Sequence, residues 1–201
     1  MKTGLRTFLK YLSALVVVIA SQVLCAQEGK NTYVVDVENS RLDWMCGNHK
    51  GYIDLKDGYL TLSGNEITAG SFTICMDSIV TLDIEYELMR ETLNNLLKSD
   101  HYFDSEKYPL SKFTITKSHL IDGNRHCVSG NLRIKDQSHP VTFHAVVDIG
   151  ENRLSAESEK FFIDRTRWGI TTSSLRFVKD KDSFTFSDDI YFVVHLKAEK
   201  K

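Results

Sequence analysis

Proline is nearly absent from this chain: Pro109 and Pro140 are the only two in 201 residues. No low-complexity tract, internal repeat or linker is visible, so the composition describes one domain with a core of its own. Each proline stands just before or at the start of a strand-like run, where a missing N–H is tolerated. Cysteine is sparse too, with four residues and no CxxC or HExxH spacing. Among the seven histidines, His139 and His144 are five apart and face opposite sides of a strand, and His126 and Cys127 are adjacent. No metal ion or cofactor is therefore expected. There is no GxSxG elbow, no Cys–His signature and no phosphate-cradling glycine loop, so no catalytic residue is assigned and an enzyme is not expected.

Positive charge is not in excess either. Lys and Arg total 25 against 27 Asp and Glu, which makes nucleic acid an unexpected partner. The Lys197–Lys201 cluster reads as a solvated tail.

What is present begins with a leader. Lys2, Arg6 and Lys10 precede an apolar run from Tyr11 to Ala20, and Ser21–Ala26 ends in small residues. This is the pattern of a secretory signal peptide over 1–26, cleaved after Ala26. The apolar run is short for a membrane span, so no stable span is expected after cleavage. Lipidation at Cys25 is disfavoured by bulky Leu24. The mature domain would cover 27–201 and lose three positive charges, moving the formal net charge from −2 to about −5. Cys46, Cys75 and Cys127 would remain, enough for one internal disulfide among any two of them, or for three free thiols.

Val128–Ile149 alternates apolar and polar residues twice around Asp136–His139, the grammar of an antiparallel hairpin. Further strand-like runs are Tyr33–Val37, Arg41–Gly47, Gly51–Lys56, Tyr59–Gly64, Ile67–Ile79, Leu110–Leu120, Arg153–Asp164 and Phe184–Leu196. Turn chemistry falls at Asp57-Gly58, Asp122-Gly123 and Gly150–Asn152. Asp83–Lys98 instead repeats apolar residues at helical steps, with Tyr86, Met89, Leu93, Leu96 and Leu97 on one face. Large apolar residues share a parity in several strands: Phe184, Phe186, Ile190, Phe192, Val194 and Leu196 in one, Phe72, Ile74 and Met76 in another. In a closed sheet they point inward, and an eight-stranded barrel is near the size where the interior is either filled or hollow.

Five segments in order then resemble the YceI-like family. They are Ser40–Trp44 with Gly47–Gly51, Gly70–Met76, Leu97–Asp104 with Lys107–Pro109 and Phe113, Gly130–Ile134 with His139–Phe143, and Phe162–Ile170. Cys75 departs from that pattern, which more often has an acid there. The resemblance implies an all-β fold, an extended lipocalin-like antiparallel barrel of about eight strands with one amphipathic helix. It implies a periplasmic or secreted protein that sequesters or carries a long-chain isoprenoid lipid, a quinone or polyprenyl lipid, in an apolar channel. The expected tunnel lining is Leu42, Trp44, Phe72, Ile74, Phe113, Ile115, Leu132, Ile134, Phe143, Ala145, Phe192 and Val194. His49, Arg165, Arg167 and Trp168 are the candidates for the mouth or head-group contact, with an Asp164–Arg165 ion pair as the plainer alternative. A hydrolase or isomerase using His49, Asp164 or His195 in the same cavity is a second expectation, and a solid barrel serving as a protein-interaction module is a third. Nothing in the pattern favours one oligomeric state.

Overall fold

The computed structural model describes residues 29–177 and 185–201. The expected leader at 1–26 and Phe184 lie outside the described residues. The first strands are β1 (Lys30–Val35), β2 (Arg41–Cys46), β3 (His49–Ser63), β4 (Glu66–Cys75) and β5 (Val80–Thr81). A helix, α1 (Glu87–Lys98), follows. The chain then runs through β6 (Leu110–Asp122), β7 (Arg125–Ile134), β8 (Gln137–Ile149), β9 (Arg153–Ser158), β10 (Phe161–Asp164) and β11 (Asp189–Lys200).

All pairings between named strands are antiparallel. The order β11-β2-β3-β4-β6-β7-β8-β9 returns to β11 and closes a ring of eight strands. β1 completes the seam, pairing with β3 on one side and with the end of β11 on the other. β10 continues the line of β9 along β11. The expected antiparallel barrel is what forms.

Alternation drives the closure. Along β7, His126, Val128, Gly130, Leu132 and Ile134 are buried while most residues between them are not. Side chains on a strand point alternately to its two faces, so one face of each strand lines the interior. In β3 the buried positions are odd-numbered up to Leu55 and even-numbered from Gly58. A bulge between Leu55 and Asp57 supplies the extra residue and switches the parity. Asp57-Gly58 is thus a bend within one 15-residue strand, not the turn between two that its composition indicates.

The central hairpin also turns earlier than expected. Ile134 pairs with Gln137, so the loop is Lys135-Asp136, with Lys135 at φ +54°. Pro140 therefore lies inside β8, opposite Asn131. Residues 137–143 of β8 pair with β7 alone, since β9 begins its pairing at Ala145. The proline sits where one edge of its strand is free, which is where the ladder tolerates it.

Helix α1 starts four residues later than the apolar spacing predicts. Asn94 ties it to the wall, its Oδ1 accepting from the Thr81 N–H at 2.9 Å. Leu93, Leu96 and Leu97 are half-buried against the barrel. Tyr86 and Met89, which the spacing assigns to the same face, stand in solvent together with Leu88. Only the C-terminal half of the helix meets the barrel.

Wall thickness is set at one point by Gly130. A Cβ there would collide with the Phe113 ring and the Thr114 carbonyl. Gly130→Ala is expected to destabilise the barrel by about 1–3 kcal/mol through overpacking, measured by denaturant unfolding.

Candidate functional site

The ring encloses an inner cavity of about 120 Å³. A smaller chamber of about 50 Å³ adjoins it under α1. Ile53, Phe103 and Phe192 border both, so side chains alone separate the two. No charged side chain lines the inner cavity, and Ser111 and Ser158 are its only polar ones among the described residues. The hollow is at odds with a solid barrel.

The structure brings eleven of the twelve expected lining residues to the inner wall: Leu42, Phe72, Ile74, Phe113, Ile115, Leu132, Ile134, Phe143, Ala145, Phe192 and Val194. Trp44 lies in the outer chamber instead. It stands opposite Gly51, where a Cβ would approach the indole Cε2 to 2.9 Å and overlap the Val80 carbonyl. Four phenylalanines form a ladder across the cavity. The ring centroids of Phe113 and Phe143 are 5.6 Å apart, those of Phe143 and Phe161 4.6 Å and stacked, and those of Phe161 and Phe192 5.9 Å.

Sequence reasoning passed over part of the wall. Ile53, Leu55 and Leu60 belong to it, and the β3 bulge hides their common face from a simple parity count. Met76, placed inward by its parity with Phe72 and Ile74, does reach the cavity, although it sits in a 3-10 turn, Met76–Ser78, beyond the end of β4. Phe103 comes from the turns after α1, which carry no periodic signal.

Among the described residues, the ionisable groups that line the two chambers, Cys46, His49, Tyr102 and Arg165, all belong to the outer one. His49 lines it and contacts the Phe186 ring, with centroids 6.1 Å apart. Its Nδ1 lies 2.9 Å from Asp83 Oδ2, and Asp83 Oδ1 accepts from the Lys50 N–H at 2.8 Å. Burial acts to raise the Asp83 carboxyl, but these two hydrogen bonds outweigh it and leave it below its ordinary 3.8.

Arg165 also borders the chamber but is already occupied. It is 2 % exposed. Its Nε donates to the Ser187 carbonyl and its Nη1 to those of Ile170 and Thr172. Its Nη2 reaches the Phe186 carbonyl and Asp188, both at 3.5 Å. Four hydrogen bonds to backbone carbonyls and the ion-pair contact with Asp188 thereby hold the guanidinium. The expected Asp164–Arg165 pair does not form. Arg165 takes Asp188, and Asp164 takes Arg176 at 2.8 Å along with the Thr166 hydroxyl.

Trp168 is fully buried away from both chambers, its Nε1 donating to the Leu132 carbonyl at 3.1 Å and its ring meeting His139. Arg167 lies exposed over that indole. Neither borders the lumen.

The three candidates for acid–base chemistry do not converge. His49 is at the mouth, Asp164 faces Arg176, and His195 sits outside the barrel between Asp43 and Glu157. The inner end is closed by apolar residues such as Ile67, Val147 and Leu196. Cys46, Cys75 and Cys127 are all free thiols. Burial pushes the Cys46 thiol up, with Asp188 and Asp189 adding to it and Arg165 opposing, so this cavity-lining sulfur is a weak nucleophile. Among the described residues no cluster of metal ligands occurs, and no helix is long and apolar enough to cross a membrane.

The His49–Asp83 contact predicts an acid-labile mouth. A carboxyl depressed in the folded state contributes stability above its unfolded value and loses that contribution as pH falls through the folded one. Carbon-detected titration of Asp83 is expected to give a midpoint below 3.8, and His49→Ala to move it upward.

Comparison places this architecture among known proteins. A family model described as a YceI-like domain matches residues 33–198. The crystal structure of Burkholderia cenocepacia BcnA is similar at 19 % identity and a TM-score of 0.65, covering 82 % of this chain and 99 % of that one. A Campylobacter jejuni YceI protein is similar at 24 % identity and a TM-score of 0.53, over 68 % of this chain and 75 % of its own. A polyisoprenoid-binding domain from Saccharophagus degradans gives 14 % identity and a TM-score of 0.60, over 84 % and 98 % of the two chains. No curated protein matches. With its match spanning 33–198 and a closed barrel around an apolar hollow, the chain belongs to the YceI-like family.

Proposed function

We propose that the protein is an exported carrier that takes the hydrocarbon tail of an isoprenoid lipid into the barrel. The observation that carries this reading is the inner cavity: walled by aliphatic and aromatic side chains, and free of charge. Family membership and the likeness to a polyisoprenoid-binding barrel support it. The leader-like pattern in residues 1–26 supports export to the periplasm or beyond.

The mechanism is partition, with no bond broken. Apolar surface leaves water or bilayer for an apolar lumen, at about 0.8 kcal/mol per buried methylene. Ten such carbons contribute roughly 8 kcal/mol, while association costs about 4–15 kcal/mol. A short chain therefore binds weakly and a chain several times longer binds tightly. The empty cavity is also small. A dry apolar cavity of about 150 Å³ accepts one benzene, so the 120 Å³ here takes about one isoprene unit as it stands. Joining the two chambers past Ile53, Phe103 and Phe192 adds only about 50 Å³, so uptake of a longer tail requires the barrel wall itself to widen.

Native mass spectrometry of protein purified from its own host is expected to reveal a bound lipid that extraction removes. Protein that is empty when purified, and that takes up no long isoprenoid afterwards, overturns the reading. Affinity for a prenyl series is expected to rise steeply with tail length, measured by displacement of a fluorescent lipid. Ala145→Phe fills the inner wall and is expected to lower uptake at least tenfold with little loss of stability, because the ring enters existing space. A loss of about 1–3 kcal/mol on unfolding with uptake unchanged would instead mark Ala145 as packed core.

A further inference from the structure

A wall that must widen yields where the fewest backbone hydrogen bonds hold it. Around most of the ring, parting two strands breaks a ladder and leaves donors and acceptors without partners. β8 differs along half its length. Its residues 145–149 pair with β9, and just past that ladder the Glu159 N–H donates to the His144 carbonyl at 2.8 Å. Beyond this bond the chain of β9 continues as β10, which pairs with β11 alone, while residues 137–143 of β8 pair with β7 alone. Among the described residues no backbone hydrogen bond joins 137–143 to β10. Pro140, in the middle of the stretch, has no N–H to offer one.

Side chains close this seam instead. Phe143 of β8 and Phe161 of β10 both line the inner cavity, and their rings stack with centroids 4.6 Å apart and planes 15° from parallel. Phe192, the next ring beyond Phe161, borders both chambers, so the seam lies beside the partition between them. Val141 and Ile163, buried one turn of the pleat further along each strand, keep the junction apolar. On the outside the seam shows solvent Pro140, Thr142 and Phe162, none of them charged. At the other end Trp168, in the 3-10 turn after β10, donates across to the Leu132 carbonyl of β7 and rests edge-on against His139 of β8. The seam is thus pinned at both ends and held between them by stacked rings. A second stretch without ladder bonds, Glu66–Gly70 of β4 beside β6, lies at the closed inner end with Ile67 and borders no part of the outer chamber.

We propose that the barrel admits a lipid tail sideways, through a port opened by parting β8 from β10 at Phe143 and Phe161. This rests on the isoprenoid-carrier reading and says where the wall gives. Opening there separates two rings and breaks no ladder. The incoming hydrocarbon replaces each ring as the neighbour of the other, so the apolar faces stay out of water. The ladders elsewhere keep the rest of the tube in register.

The test staples the seam shut. Thr142→Cys and Phe162→Cys put thiols on its two outer lips, with Cys46, Cys75 and Cys127 each replaced by serine, and a short reducible linker joins them. A control staple joins Thr114→Cys to Asn131→Cys, exposed partners on the paired strands β6 and β7. The probes are isoprene, which fits the cavity as it stands, and a long polyprene hydrocarbon. The seam staple is expected to lower polyprene uptake at least tenfold, to leave isoprene binding within about twofold, and to be reversed by reductant, while the control staple changes neither. Full polyprene uptake by the stapled protein, or an equal loss with the control staple, overturns the port and leaves the carrier reading standing. If the cysteine variants do not fold, the unsubstituted protein decides. Its nuclear Overhauser contacts between the Phe143 and Phe161 rings are expected to vanish on loading with polyprene and to persist with isoprene. Contacts that persist with polyprene bound overturn the port. Failure of the unsubstituted protein to take up any polyprene overturns the carrier reading, and the port with it.

Discussion

Strand β11 has hydrogen-bonded neighbours along both edges, β2 and β1 on one side and β10 and β9 on the other. That double pairing turns a long meander into a tube. An open sheet with the same alternation would leave the Leu, Ile and Phe faces of eight strands in water. Each such side chain contributes about 1.5–3 kcal/mol when fully buried, so closure and burial are one event. Closure also fixes what the interior can be. Inward-facing residues are drawn from alternate positions of every strand, and here nearly all are apolar. The lumen is apolar for the same reason that the barrel is stable.

The mouth solves a different problem. The described residues between β10 and β11, 165–177 and 185–188, belong to no named strand, so their backbone carbonyls need partners from elsewhere. Arg165 supplies them from one position, bridging Ile170, Thr172, Phe186 and Ser187. The guanidinium suits the task because its donors form a planar fork in fixed directions. The cost is that the cation nearest the lumen is committed to architecture. The electrostatic character of the cavity thus follows from how the loop above it is held.

The barrel and most of its lining were legible in the sequence because both depend on period-two alternation. Phe72 with Ile74, Phe113 with Ile115 and Leu132 with Ile134 need only that rule to be placed on the inner face. Legibility failed where the period was interrupted. The bulge at Leu55–Asp57 made one strand look like two, and it hid Ile53 and Leu60 on a common wall. Phe103 arrives from a turn, where no periodicity exists to read. At the mouth the residue types were informative but their partners were not. The Asp164-Arg165 dipeptide looks like an ion pair, yet each side chain finds its partner more than ten residues along the chain. Adjacent strand residues point to opposite faces, so neighbours in sequence are poorly placed to pair. In α1 the apolar spacing was correct in type but not in extent, since Tyr86 and Met89 project past the wall that Leu93 and Leu97 meet.

Pro140 lies within the stretch of β8 that has a strand on one side only. Bare backbone of that kind is a template on which a second molecule could add a strand and start an aggregate. A residue without an N–H spoils the template near its middle, and Trp168 with His139 crowds the same place with rings. One of the two prolines in the chain therefore guards the free edge of β8 against strand addition by a second copy.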